Sequence, residues 1–341
     1  MLQWVRSFLS STQWCKKTSN KWLLAGIKNT TLESWIELDN TYLTKYHLKK
    51  KLFNENRDEV LAYLPGIDEG LFEGLDLLKE TLVKRYPSMF RLRDDKRDII
   101  ENLVTGDIWD LNPRASTWEK YHPFEVMSLL ATEDFFILYT DEKTGETSLR
   151  GAGVCFPGMF ASTNSPIHPL PYKHLITNYN CVGAAGWKIE TRIGKTLWGI
   201  HAGRVPTYET RLAKSMDRFF QRLKPGPLIC RYNYAIDDSD ELFHRHSHHS
   251  LDLEEVKKPD LKDLHLRVER QVLQRLPRSK ALFFTIRTYV TPITEVTRDR
   301  EVAESLRTSV SNYSEDVARY KNRGLWEGTL MGHLEEVLGE K

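Results

Sequence analysis

Apolar residues recur along the chain with two different periods, and these periods predict its helices and strands. Four leucines between residues 71 and 82 recur at spacings of three and four, which places them on one face of a helix that Asp68 begins. Further along, the apolar run DFFILYT, the turn DEKTGE and the return segment LRGAGVCF predict a β-hairpin. The chain therefore combines helices with antiparallel strands.

The segment HLRVERQVLQRLPRSKALFFTIRTY, residues 265–289, carries the densest pattern of charge. Arg267, Gln271 and Arg275 are spaced four residues apart, and a parallel apolar stripe occupies positions 264, 268, 272 and 276. This spacing predicts a helix with one charged side and one packed side. Pro277 would end that helix, because proline has no backbone donor.

The residues after Pro277 alternate between two faces, which is the period of a strand. Leu282, Phe284 and Ile286 form an aliphatic and aromatic row, and Arg287 falls on the opposite face. A helix and a strand would thus present guanidinium groups suited to a carboxylate or phosphate. The alternative interpretation is that these arginines form ordinary salt bridges with Glu269 and other acids.

The composition bounds the class of protein. A chain of 341 residues with 40% hydrophobic and 11% aromatic residues can bury a substantial core. Its 49 basic residues nearly balance its 47 acidic residues, and no segment interleaves basic and aromatic residues, so we expect no nucleic-acid partner. The four cysteines lie far apart without a CxxC pair, which favours a reducing compartment over a disulfide scaffold.

The amino-terminal segment MLQWVRSFLSSTQWCKK contains an apolar run that is too short and too interrupted to span a bilayer. It also lacks the small-residue cleavage pattern of a secretory signal, so we predict a cytoplasmic protein. The basic residues Arg6, Lys16, Lys17 and Lys21 keep a mitochondrial presequence or a membrane-surface anchor as alternatives.

Histidines supply the candidate metal chemistry. His201 follows a segment that we predict to be a strand ending at Ile200, and neighbouring glycines leave room around its imidazole, which is a common iron ligand. Four more histidines crowd the segment FHRHSHHSLD, but their spacing lacks the helical geometry and the carboxylate partner of HExxH. We interpret that segment as a solvated loop. No dinucleotide, P-loop or α/β-hydrolase motif occurs in the sequence.

The strands between residues 134 and 290, with helices before and after them, predict an α+β fold built on a mainly antiparallel sheet. At this point several segments resemble the haem-dependent oxidative N-demethylase family, whose fungal relatives are called HRQ proteins. They are, in chain order, WIELDNTYL, YLPGIDEG, RYPSMF, ATEDFFIL, VCFPGMF, GWKIETRIGKTLWGIHAGRVP, ICRYNYAI, RVERQVLQRLPRSKALFFTIRTY and YKNRG.

The resemblance implies a PAS-like haem-binding core at residues 116–300, preceded by a helical region at 1–115 and followed by a helical tail at 301–341, all within one integrated domain. It implies haem b, held without a covalent link because the sequence has no CxxCH motif. It also implies oxidative demethylation of a small methylated amine with O₂, supported by a separate flavin and iron–sulfur reductase. The oligomeric state is left open.

Carried over onto matching positions, the resemblance makes His201 the axial ligand of the iron. Arg267, Arg275 and Arg287 would bind the cofactor, and Arg270 and Gln271 would be catalytic. The turn IHAGRVP is one residue longer than the usual turn of the family. Two other functions stay open at this point: a haem- or gas-sensing PAS module without turnover, and a scaffold that has lost its cofactor.

Overall fold

The computed structural model describes residues 27–93, 97–158, 189–203, 205–243 and 257–339. Several segments discussed above lie outside this part of the chain. They are the amino-terminal basic segment and the histidine-rich segment from His244 onward.

Ten strands are found in the described residues. They are β1 (Lys28–Thr30), β2 (Leu61–Tyr63), β3 (Phe90–Leu92), β4 (Ile99–Asn102), β5 (Ile108–Asp110), β6 (Asp134–Thr140), β7 (Thr147–Gly153), β8 (Leu228–Asp237), β9 (His265–Arg275) and β10 (Leu282–Pro292).

Seven of these strands form one antiparallel sheet in the order β1-β8-β9-β10-β6-β7-β2, and β3, β4 and β5 form a small second sheet. Counted along the chain, the five central strands β6 to β10 follow the order 2-1-5-4-3, as expected of a PAS-like sheet. The α+β fold on a mainly antiparallel sheet is thus confirmed, and so are the hairpin of β6 and β7 and the strand that carries Arg287.

Within the described ranges, six helices of eight or more residues flank the sheet. They are α1 (Tyr42–Glu55), α2 (Asp68–Arg85), α3 (Pro123–Leu130), α4 (Ala213–Arg222), α5 (Arg300–Ser311) and α6 (Arg323–Leu338). The leucine stripe predicted for the second of these is confirmed, since all four leucines are at most 1% exposed. No helix in the described ranges is long and apolar enough to cross a membrane.

The two faces of the large sheet are covered differently. On one face, α1, α2 and α3 bury Phe135, Val272 and Phe283, while α5 and α6 bury Leu266 and Val268. We call this the helix-covered face. On the other face, α4 and the short helix Leu197–His201 pack over a cluster whose members are in many cases only partly buried. We call this second surface the His201 face.

The structure overturns two predictions of secondary structure. Residues 265–275 form strand β9 and not a helix. Residues that are four positions apart lie on one face of a strand and also on nearly one face of a helix, so this spacing fits both structures. Strand β9 lies in the middle of the sheet with both faces buried, so it lacks the alternation that usually marks a strand. The predicted strand ending at Ile200 is also wrong, since Leu197–His201 is helical.

Candidate functional site

His201 is the last residue of a short helix at the edge of the His201 face. Thr196 begins this helix, and its hydroxyl oxygen accepts a hydrogen bond from the backbone N–H of Gly199 at 3.3 Å. One turn later, Nδ1 of His201 lies 2.8 Å from the carbonyl oxygen of Leu197. The imidazole is therefore held by its own helix.

The hydrogen bond to Leu197 determines which nitrogen of His201 carries the proton. A carbonyl oxygen only accepts, so Nδ1 donates to it and Nε2 keeps its lone pair. Burial lowers the pKa of His201, partly opposed by the bond to Leu197 and reinforced by the nearby charge of Arg231. The ring is thus a neutral imidazole whose Nε2 is the nitrogen suited to metal ligation. A backbone carbonyl bonded to the other ring nitrogen is the usual way in which proteins orient a metal-binding histidine.

The ring of Tyr208 stacks on the imidazole of His201. Their centroids are 5.0 Å apart and their planes differ by 20°. Arg192, which is 5% exposed, donates from Nη1 to the carbonyl oxygen of Ile200 at 3.1 Å. The histidine is therefore fixed by a carbonyl, a stacked ring and a buried arginine that holds its helix.

Nearly half of the apolar side chains clustered on the His201 face are only partly buried, which is a larger share than on the helix-covered face. In the described structure they keep part of their surface accessible between the sheet and the helices above it. We call this partly accessible apolar surface the cleft, and a surface of this kind suits a flat apolar ligand. The members that lie on the sheet or on the two covering helices are Ala62, Ile200, Met216, Phe219, Phe220, Ile229, Phe284 and Ile286.

Polar side chains of β8 and β9 continue the same face. Arg231 stands opposite Gln271, and Asn233 opposite Glu269, in the antiparallel register of the two strands. The Glu269 carboxylate accepts from Gln271 Nε2 at 2.8 Å and from Asn233 Nδ2 at 3.3 Å. Glu269 is 4% exposed, so two neutral amides hold a buried carboxylate in the site.

Arg231 has unused hydrogen-bonding capacity. Its buried Nε makes no hydrogen bond within the part of the chain that the structure describes, and the same is true of Arg192, Arg267, Arg287 and Arg323. Those four arginines are nevertheless bonded through their Nη atoms. Desolvation lowers the pKa of the Arg231 guanidinium, whereas the charges of Glu269 and Tyr320 raise it. Buried polar groups are nearly always bonded, so an orphaned guanidinium nitrogen beside His201 and Glu269 suggests a ligand with an acceptor atom.

Two residues that follow α5, Tyr320 and Lys321, lie near the edge of this site. Lys321 Nζ donates to the backbone carbonyl of Tyr234 on strand β8. Burial lowers the pKa of Lys321 to about 8, while the charge of Glu269 raises it and that of Arg231 lowers it further. Burial also raises the pKa of Tyr320, so its hydroxyl stays protonated at neutral pH. Both side chains thus lie within electrostatic reach of Glu269 and Arg231.

The predicted cofactor-binding arginines of the His201 face are already bonded within the protein. Arg267 donates from its two Nη atoms to the carbonyl oxygens of Glu241, Leu242, Phe156 and Pro157 at 2.8–3.3 Å. It therefore joins two loops to β9.

Arg275 donates to the carbonyl oxygens of Phe220 at 2.6 Å and Leu223 at 2.9 Å, at the carboxyl end of α4. A cation at this position suits the helix dipole. The contact of Arg267 and Arg275 with a cofactor stays a prediction, and the structure gives both residues roles in holding backbone segments.

Arg270 and Arg287 lie on the helix-covered face. Arg270 donates to the carbonyl oxygens of Ser34 and Trp35, the latter at 2.8 Å. Since neighbouring residues of a strand face opposite ways, Arg270 is on the far side of the sheet from Gln271. Only Gln271 of the two predicted catalytic residues lies on the His201 face.

Arg287 donates to Asp39 Oδ2 at 2.6 Å and to the hydroxyl of Thr132, and it lies 3.8 Å from Glu133. Salt bridges thus account for much of its environment. Its predicted contact with a cofactor stays a prediction.

Sequence reasoning missed Arg231 and Asn233, and it considered Glu269 only as a salt-bridge partner. A signal for the first two was present in LICRYNYAI, where Ile229, Arg231 and Asn233 alternate with Cys230, Tyr232 and Tyr234. A charged residue within such a strand indicates a site on one face of the sheet.

The described residues contain no group of three or more His, Cys, Asp or Glu side chains that would hold a metal ion. A haem iron requires fewer ligands from the protein, because the porphyrin supplies four ligands and the protein supplies one or two axial ones. A single histidine with an available Nε2, an incompletely buried apolar cleft and an unbonded guanidinium fit a haem with its carboxylates.

Comparison with known families gives a match that agrees with this geometry. The model of the family described as haem-dependent oxidative N-demethylase, alpha subunit-like, matches residues 26–174 and 167–331. Together the two matches cover most of the chain, including His201, Arg231 and Glu269.

Proposed function

The chain belongs to the haem-dependent oxidative N-demethylase, alpha subunit-like family, and from this premise we propose that it holds one haem b with His201 as the axial ligand of the iron. The observation that carries the proposal is the imidazole whose Nδ1 is committed to Leu197 and whose Nε2 is available beside the apolar cleft. The sequence contains no CxxCH motif, so we propose that the haem is bound without a covalent link.

The cleft supplies the remaining contacts that a haem requires. Met216, Phe219, Phe220 and Ile286 offer apolar and aromatic surface to the porphyrin. Arg231 offers a guanidinium with an unbonded nitrogen to an anionic group. Once bound, the haem would supply oxygen binding and electron acceptance, which no side chain of the chain can provide.

We propose that Glu269 binds the substrate. A small methylated amine is a cation at neutral pH, and a buried carboxylate is its natural partner. Gln271 and Asn233 hold the carboxylate in place, so we assign Gln271 a role in positioning Glu269. The proposed reaction uses O₂, two electrons and two protons: one oxygen atom enters the N-methyl group to give a carbinolamine, and the other leaves as water. The carbinolamine then releases formaldehyde and the demethylated amine. The electrons come from a separate reductase that carries a flavin and an iron–sulfur cluster.

The test of haem binding is a titration of the purified protein with hemin. We expect a Soret band distinct from that of free hemin, and we expect His201→Ala to lose or shift it. His47 is exposed and outside the cleft, so His47→Ala is the matched control, and the double variant of His246 and His248 should also leave the band unchanged. If His201→Ala keeps the band, the axial ligand is another residue.

The test of catalysis uses the haem-loaded protein with a reductase, O₂ and dimethylamine. We expect the amine to perturb the haem spectrum and formaldehyde to appear. Glu269→Gln should weaken the response to the amine by at least tenfold while hemin is still bound, since it removes the negative charge and little volume. A protein that binds hemin and carbon monoxide, yet neither responds to methylated amines nor releases formaldehyde, would instead be a haem- or gas-sensing PAS module.

A further inference from the structure

Aromatic rings connect His201 to the surface of the molecule. Tyr208 stacks on His201, and the centroid of its ring is also 6.0 Å from that of Trp198. Trp198 is 50% exposed, although tryptophan is usually well buried. The three rings therefore form a continuous path of close contacts from the imidazole to solvent.

An unusual backbone conformation precedes Tyr208, which contacts both of the other rings. Thr207 has a φ of 58°, a left-handed conformation that a β-branched residue seldom adopts, and Tyr208–Leu212 is a π-helical turn. Left-handed strain of this kind is concentrated at functional sites. The Tyr208 hydroxyl is buried and bonds to none of the described residues. The turn thus serves the position of the ring and not a hydrogen bond of the hydroxyl.

The segment that contains Trp198 carries an excess of exposed basic side chains, although the total charge of the chain is nearly balanced. The short helix of Trp198 contacts α4, which carries three of them. Lys195 packs beside the helix of Trp198, since a Cβ added at Gly199 would lie 3.4 Å from the Lys195 Cβ. The described part of residues 189–224 contains three acidic residues, Glu190, Glu209 and Asp217, and six exposed basic residues. The exposed basic residues are Lys195, Arg211, Lys214, Arg218, Arg222 and Lys224.

We propose that Trp198 and these basic residues form the surface on which an acidic iron–sulfur protein docks, and that its electron reaches the iron ligand His201 through Tyr208. The proposal rests on the proposed function, because it needs a haem on His201. In each docking event the reduced cluster of the partner loses one electron and ferric iron becomes ferrous. No bond is formed or broken and no proton is transferred.

Two physical arguments favour this surface. Electron tunnelling weakens steeply with distance and is strongest through contiguous contacts, which the three stacked or adjoining rings provide. A basic rim around an apolar residue attracts an acidic partner over long range and then lets the apolar residue form the close contact. Trp198 combines both properties.

The docking surface can be tested without haem. A plant-type [2Fe–2S] ferredoxin, which is acidic, serves as the probe and is titrated calorimetrically into the haem-free protein at low salt. We expect Lys195→Glu and Lys214→Glu each to weaken binding by about tenfold and to reduce its dependence on salt. Lys262→Glu is the matched control, because Lys262 is also exposed, at 78% of its side chain, and lies outside the surface.

Electron transfer is then measured with the hemin-loaded protein under nitrogen. The photochemically reduced ferredoxin is mixed in a stopped-flow instrument, and reduction of the ferric haem is followed at the Soret band. We expect Trp198→Ala and Tyr208→Leu to lower the second-order rate constant by tenfold or more. Tyr208→Phe retains the stacked ring, so it should stay within about twofold of wild type. Leu103→Ala, at another exposed apolar residue, is the control.

Dithionite, which is small and needs no docking, separates this inference from the proposed function. Dithionite should reduce the Lys195, Lys214 and Trp198 variants at the rate of wild type, because these residues lie outside the contacts that fix His201. Unchanged ferredoxin binding and rates in the Lys195 and Trp198 variants would overturn the proposal, as would a wild type that only dithionite reduces. If His201→Ala keeps the hemin spectrum of wild type, the proposed function itself fails.

Discussion

At the scale of one residue, Arg287 shows that an arginine predicted to bind an anionic ligand is already paired with carboxylates of the protein itself. Its side chain is 1% exposed and lies between the carboxylates of Asp39 and Glu133, with its guanidinium 4.9 Å from the ring centroid of Tyr289. The neighbouring carboxylates and Tyr289 raise the pKa of Arg287 against the opposing effect of burial. The arginine therefore stays charged inside the core.

We expect Arg287→Ala to lower the free energy of unfolding by about 3–5 kcal/mol, because it leaves the buried Glu133 without its guanidinium partner. Arg300→Ala is the control, since Arg300 forms an exposed pair with Glu304 and should cost less than about 1 kcal/mol. Denaturant unfolding of the haem-free proteins measures both. If Arg287→Ala left stability unchanged and weakened hemin binding, the predicted contact of Arg287 with the cofactor would be correct.

At the scale of elements, His122 at the start of α3 makes the stability of the protein depend on pH. Its Nδ1 accepts a hydrogen bond from the backbone N–H of Phe124 at 3.2 Å, and it stacks against Tyr63. Burial, with the charge of Arg57, lowers the pKa of His122 to about 4. Between about pH 6.5 and pH 4 the unfolded chain therefore takes up a proton that the folded one excludes, so stability is present above this window and lost as the pH falls through it.

We expect His122→Asn to remove this contribution to the pH dependence while keeping an acceptor at the start of the helix. The difference in unfolding free energy between wild type and variant should change from pH 7 to pH 4, with wild type losing more. Denaturant unfolding at several pH values measures it. A difference that is constant over this range would show that His122 titrates normally.

The elements also show what a single sequence can and cannot predict. The helix α2 and the hairpin of β6 and β7 were predictable because each has one buried face, which imposes a clear period. Strand β9 was not, since both of its faces are buried and its charges recur at a spacing that a helix also satisfies. The short helix that ends at His201 depends on the Thr196 cap, and the helix propensity of its own residues does not reveal it.

The candidate site was predictable in part for a related reason. His201 stands out as a single residue, whereas Arg231 and Glu269 meet only when β8 and β9 pair, and strand register is not visible in the sequence.

At the scale of the whole molecule, the carboxyl-terminal helices belong to the same core as the sheet. Val302, Leu306, Trp326 and Leu330 from α5 and α6 pack with Val268 of β9. If the chain folds as one integrated domain, as we predict, a substitution that destabilises the carboxyl-terminal helices should also destabilise the central strands.

Trp326→Ala should lower stability by about 3–5 kcal/mol, since the side chain is 1% exposed in this core. We expect one unfolding transition, shifted as a whole, when circular dichroism and hydrogen exchange of the β9 and β10 amides are compared. Trp198→Ala is the control, because Trp198 is half exposed. Two separate transitions in Trp326→Ala would show that the helical tail folds as a unit of its own.

Strand β9 separates two environments, with Gln271 and Glu269 on one face and Arg270 on the other. Insertion or deletion of a single residue within it would therefore exchange these faces, delivering a cation to the cleft and a carboxylate to the core. The gene should consequently tolerate length changes in the hairpin turn at residues 141–146 and none within residues 266–274. In this strand the number of residues is as much a part of the site as their identity.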